Sequence, residues 1–146
     1  METKMSSSSG FSHRYSTEEL YVLTRHWVSD ISFFEKEIQF FQFMIEKSCM
    51  PVMLIVQPVS FDSISNDLQD LQKRKELLKD NIITQQNKLS VILDEYHADE
   101  QDSFNLVQSK LEAEFFDFIK TFRNIKLKLF ESCQKYKENP AQSLHN

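Results

Sequence analysis

Apolar residues recur every three or four positions through three long stretches of this chain. In the first stretch they fall at Leu20, Trp27, Ile31, Phe34, Ile38, Phe41 and Ile45, with 4-3-4-3-4 spacing from Trp27 onward. In the second they fall at Phe61, Ile64, Leu68, Leu71, Leu78, Ile82, Leu89, Ile92 and Tyr96, and Lys75 and Gln85 occupy the two places where the alternation is polar. The third stretch carries Phe104, Leu111, Phe115, Phe118, Phe122, Ile125, Leu129 and Tyr136. Spacing that averages 3.5 residues keeps side chains on one side of an α-helix. Each stretch therefore predicts an amphipathic helix whose apolar seam must be hidden from water. Lys and Gln can keep a polar head in solvent while their stems cover apolar surface, so Lys75 and Gln85 are expected to snorkel out past their neighbours.

Local signals place the helix ends. Ser16-Thr17-Glu18-Glu19 fits a capping box, in which a Ser oxygen and a Glu carboxylate each satisfy one orphan N–H of the first turn. Pro51 disfavours helix at the residue before it, which ends the first helix near Ser48. Residues 49–60 read CMPVMLIVQPVS, an apolar run between two prolines, and predict an extended connection. The second helix is expected from about Asp62 to His97 and an acidic link over 98–103. The third helix is expected to start at a cap on Asp102 or Ser103 and to end at Pro140. Its acids come early (Glu112, Glu114, Asp117) and its bases late (Lys126, Lys128, Lys135, Lys137), which suits the helix dipole.

Three helices of about 45–55 Å each, every one with a single seam, can only hide those seams together. The short link makes the second and third helices antiparallel neighbours. The expected fold is an all-α antiparallel three-helix bundle, up-down-up, with coiled-coil-like heptad packing. Residues 16–138 would form the bundle, with flexible tails over 1–15 and 139–146. Parallel first and third helices would bring Phe33, Phe34, Phe40 and Phe41 level with Phe115, Phe116, Phe118 and Phe122.

Composition narrows the picture. A single glycine, Gly10, is too few for sandwich or barrel turns and for any glycine-rich phosphate loop. No run reaches the ~18–20 apolar residues of a membrane span, and the Ser-rich head lacks the apolar core of a signal peptide. A cytoplasmic protein is expected, with Cys49 and Cys133 as reduced, partly buried thiols. A net charge of −5 argues against a nucleic-acid partner. That charge is uneven: residues 16–32 and 81–119 carry three Lys/Arg against eleven Asp/Glu, whereas residues 33–80 and 120–138 carry twelve against ten.

Catalytic motifs are missing from the sequence, and no enzyme or cofactor is predicted. The weak metal candidates are His26 with Asp30, four apart on the first helix, and Asp94 with His97, a lone Asp-x-x-His. Di-iron bundles need two such motifs, and here the second is lacking. The more informative feature is an aromatic surplus. The chain has thirteen phenylalanines, and Phe33, Phe40, Phe43, Phe116 and Phe130 lie off the seams. They admit three readings: a core face wider than two positions per heptad, a self-association surface, or the wall of an apolar ligand pocket. The function expected is a non-catalytic helical interaction or structural protein, associating with itself or another helical protein. The alternatives are a ligand- or metal-binding bundle, or a peripheral membrane protein that uses residues 49–60. A membrane contact is not expected, because the less acidic half carries only a small positive excess.

Overall fold

The computed structural model describes residues 15–47, 58–93 and 98–138. It is an all-α three-helix bundle, made of α1 (Thr17–Lys47), α2 (Pro58–Ile92) and α3 (Ala98–Glu138). The expected tails (apart from Tyr15), Cys49, most of the 49–60 connection, Asp94 and His97 lie outside the described residues.

The start of α1 is built as the sequence predicts. The Ser16 Oγ accepts the Glu19 N–H at 3.2 Å, and the Glu19 carboxylate accepts the Ser16 N–H at 2.9 Å. The chain just before it is tied to α3. Asn105 accepts the Tyr15 N–H on its side-chain oxygen and donates its amide to the Tyr15 carbonyl, which Gln101 also donates to.

Two other helix starts differ from expectation. α2 begins at Pro58 rather than Asp62. Proline is well suited to the first helical position, where its missing N–H has no intrahelical partner to lose, so part of the expected extended run is helix. Likewise α3 begins at Ala98 rather than at a cap on Asp102 or Ser103. Ala98, Glu100 and Gln101 are good helix formers, and the acids Asp99 and Glu100 stand where the positive end of the dipole favours them. At its other end, α2 is described to Ile92 with Leu93 in a turn, and the expected end at His97 lies outside the described residues.

The described residues fall into two compact units, Met1–Ser32 with Glu76–Phe116 and Phe33–Lys75 with Asp117–Asn146. In the first unit the core is Leu20, Trp27, Ile31, Leu78, Ile82, Leu89, Leu111 and Phe115. Trp27 and Phe115 meet at 5.7 Å between ring centroids. In the second unit the core is Ile38, Phe41, Ile45, Ile64, Leu68, Leu71, Phe118, Phe122, Ile125 and Leu129. Phe34 meets Phe118 and Phe122 there at 5.7 and 5.9 Å, and Phe41 meets Phe122 at 6.2 Å. The expected levelling of α1 and α3 phenylalanines thus holds at Phe34 and Phe41.

Helix directions follow from these contacts. Pairs between α1 and α3 rise together in number, as in Tyr15–Asn105, Trp27–Phe115 and Phe41–Phe130, so the two helices are parallel within each unit. Pairs between α2 and α3 run oppositely in the second unit. Arg74 bonds Asp117 at 2.6 Å and Thr121 at 3.2 Å, while Asp67 pairs with Lys128 at 3.5 Å.

Because the Ser16 hydroxyl holds an N–H of the first turn, Ser16→Ala is expected to cost about 1 kcal/mol. Thermal denaturation followed by circular dichroism should register that as a loss of a few degrees in Tm; an unchanged Tm would mean that the box adds nothing.

Candidate interaction surfaces

Polar groups on the seams are the first departure from the expected pattern. Lys75 and Gln85 do not snorkel. Lys75 is fully buried and Gln85 is only 3% exposed. An ammonium taken out of water is costly unless an opposite charge meets it. The Lys75 Nζ donates to the carboxylate of Glu35 on α1, which keeps about a quarter of its side chain in solvent. Gln85 donates to the Phe104 carbonyl and to the side-chain oxygen of Gln108, both at 3.1 Å, and Gln108 donates to the Leu20 carbonyl at 3.3 Å. One buried amide pair in the first unit therefore touches all three helices. Gln108 stands at a seam position, four after Phe104 and three before Leu111, that the apolar pattern passes over. Thr24 fills the analogous gap between Leu20 and Trp27, its hydroxyl donating to the Tyr21 carbonyl at 2.6 Å.

The five surplus phenylalanines face outward. Phe33, Phe40, Phe43, Phe116 and Phe130 are 55–62% exposed, so the wide-core reading does not hold for them. On α1 the reason is angular. Phe33, Phe40 and Phe43 each stand two residues beyond a core-facing position (Ile31, Ile38 and Phe41), roughly 200° around a helix of 3.6 residues per turn. Val22 continues this outer line and is exposed too. On α3 the exposed apolar residues Leu106, Phe116, Leu127 and Phe130 are likewise displaced from the buried seam. In the second unit, Phe40 and Phe130 both contact the buried Phe41 ring, at 5.8 and 6.0 Å. Solvent-facing aromatics of α1 and α3 are thereby joined through one core residue.

Of the metal candidates, Asp94 and His97 lie outside the described residues. His26 and Asp30 are both exposed on α1. Among the described residues, no group of three or more His, Cys, Asp or Glu side chains is placed to hold a metal ion. Cys133 is half-buried on α3. A cleft of about 460 Å³ in the first unit lies between α2 and α3, where Lys88, Lys110 and Glu114 border Phe104, Val107 and Leu111. None of the surplus phenylalanines lines it, so it is not the Phe-walled pocket the sequence raised. Among the described residues, no helix is long and apolar enough to cross a membrane.

Compared with known proteins, the chain matches no protein-family model, no curated protein and no solved structure.

The buried pair makes a stability prediction of its own. Glu35→Ala removes the carboxylate that meets a fully buried ammonium and should destabilise by about 2–3 kcal/mol, somewhat under the range for a wholly buried pair because Glu35 is partly solvated. Lys75→Met, of similar volume, should be neutral or stabilising. Urea unfolding at constant m-value reads both; equal losses in the two variants would contradict the reading.

Proposed function

We propose that this chain is a non-catalytic helical interaction module that self-associates through its outward phenylalanines. The observation that carries the proposal is the exposure of Phe33, Phe40, Phe43, Phe116 and Phe130 by more than half on a chain that has a separate, filled core. Five large aromatic rings in water forgo a substantial hydrophobic gain, on the order of 1.5–3 kcal/mol for each ring fully buried, and concentrated apolar surface marks interfaces. Phenylalanines that closed the core would instead be hidden with Phe118 and Phe122.

The spacing of the outer residues supports a helical partner surface. On α1 the line Val22, His26, Ser29, Phe33, Lys36, Phe40, Phe43 and Lys47 repeats 4-3-4-3-4-3-4, the same alternation as the buried seam. Such a line accepts knobs from another helix in coiled-coil fashion, with its phenylalanines gathered between Phe33 and Phe43 and lysines at 36 and 47. Chemistry points the same way: the sequence motifs of acyl transfer, phosphate binding and zinc chemistry are missing, and a scaffolding or partner-binding role needs none of them. The reading places the chain in the cytoplasm, in keeping with thiols that the sequence leaves without a disulfide framework.

Sedimentation velocity across a dilution series tests the proposal. The chain should sediment as its 17.4 kDa monomer when dilute and as larger species when concentrated. The triple variant Phe33→Ser, Phe40→Ser, Phe43→Ser should stay monomeric with unchanged helix content, since exposed substitutions cost about 0.5 kcal/mol or less each. A wild-type chain that is monomeric at every concentration would overturn self-association.

A further inference from the structure

Self-association leaves open which surface meets which, and the solvent edge between α1 and α3 carries opposite charge in the two units. In the second unit, Lys126 on α3 reaches Glu37 on α1 at 3.5 Å, both side chains about one-quarter exposed. Helical spacing puts Phe33, Phe40 and Met44 on the Glu37 side of α1 and Arg123 and Phe130 on the Lys126 side of α3. This edge is therefore a phenylalanine-rimmed trough. The exposed charges bordering it are basic: Lys36 and Lys47 on α1, Lys120 and Arg123 on α3. The neighbouring acids are turned away. Glu46 continues the side of α1 that carries Glu35, which meets α2, and Glu131 shares a side of α3 with Asp117 and Lys128, which also pair with α2.

The same edge in the first unit is acidic. Asp30 stands seven residues before Glu37, on the same side of α1. On α3 the line Asp102, Leu106, Ser109, Ala113 and Phe116 runs at 4-3-4-3 spacing with Glu112 beside it, and Leu106 and Phe116 are 61% and 60% exposed. Lys110 on α3 lies instead at the cleft facing α2. Whole-unit charges agree, with six Lys/Arg against thirteen Asp/Glu in the first unit and eleven against nine in the second.

We infer that self-association is heterologous. The acidic Leu106–Phe116 face of one copy docks into the basic, phenylalanine-rimmed edge of another copy's second unit. The inference rests on the proposal that the outward phenylalanines form an interface, and it adds which face meets which. Opposite charge selects this pairing over trough against trough, where Lys36, Lys47, Lys120 and Arg123 would face their own copies. It also uses Phe116, which stands in the first unit, apart from the other four. A lipid surface fits the page less well: four cations are weak attraction on a chain whose net charge is −5.

Complementation between two full-length variants tests the pairing. Phe40→Asp with Phe130→Asp removes the trough, and Leu106→Asp with Phe116→Asp removes the acidic face. In sedimentation velocity each variant alone should be monomeric, and an equimolar mixture should form heterologous complexes. Charge reversal gives a check that spares the apolar residues. Lys120→Glu with Arg123→Glu should weaken self-association about tenfold or more, and mixing with Asp102→Lys, Glu112→Lys should restore it. Circular dichroism verifies that every variant is folded. If the Leu106, Phe116 variant associates as wild type does, the pairing is like-with-like: the inference falls and the self-association reading survives. A mixture that stays monomeric while wild type associates has the same meaning. A wild-type chain that stays monomeric and co-sediments only with vesicles of phosphatidylcholine and phosphatidylserine would overturn both.

Discussion

One constraint governs this molecule: each helix has one apolar seam, and the seams can leave water only against one another. Hydrophobic burial is close to proportional to area and indifferent to direction, so the 3-4 spacing of Leu, Ile and Phe is enough to demand a bundle. It is not enough to choose among bundles, because registers one heptad apart bury almost the same side chains. The polar seam residues supply what the apolar ones cannot. Lys75 reaches a carboxylate on α1, Gln85 reaches Gln108 and the Phe104 carbonyl, and Gln108 reaches the Leu20 carbonyl. A one-heptad slip would separate these groups from their partners, and an unsatisfied buried polar group is costly. A polar residue at a single core position is an established way to specify register at some expense of stability.

Much of the fold is written locally. The capping box at Ser16, the three seams and the parallel levelling of Phe34 and Phe41 with α3 each depend on residues a few positions apart, or on connections short enough to leave few topologies. The helix ends were harder to read for the same local reason. Pro58 closes an apolar run and also suits a first helical turn, and the Ala98–Asp102 segment is acidic enough to resemble a link, yet its acids suit the positive end of a helix dipole and Ala98, Glu100 and Gln101 are good helix formers. Either role satisfies the local chemistry, and α2 and α3 settle it by extending their helices.

What could not be read was whatever depends on a second helix. That Lys75 is buried follows from Glu35 standing opposite it, forty residues away. Gln108 gives no apolar signal at all, and the clamp of Asn105 and Gln101 on Tyr15 joins residues 86 and 90 positions apart. The surplus of phenylalanines was visible in the sequence, but its direction was not, since a broad core face and an outer stripe contain the same residues. The angle of about 200° between Ile38 and Phe40 decides between them only once α2 and α3 have been placed around α1.

The phenylalanines therefore divide into those that close the core and those that do not. Hydroxyl-radical footprinting with residue-level mass spectrometry measures that division directly, first in dilute and then in concentrated protein. Phe33, Phe40, Phe43, Phe116 and Phe130 should oxidise readily when dilute and become protected on concentration, while Phe118 and Phe122 stay unreactive throughout. Equal protection of all seven in dilute protein, or oxidation of Phe118 and Phe122 at the rate of the rest, would contradict it.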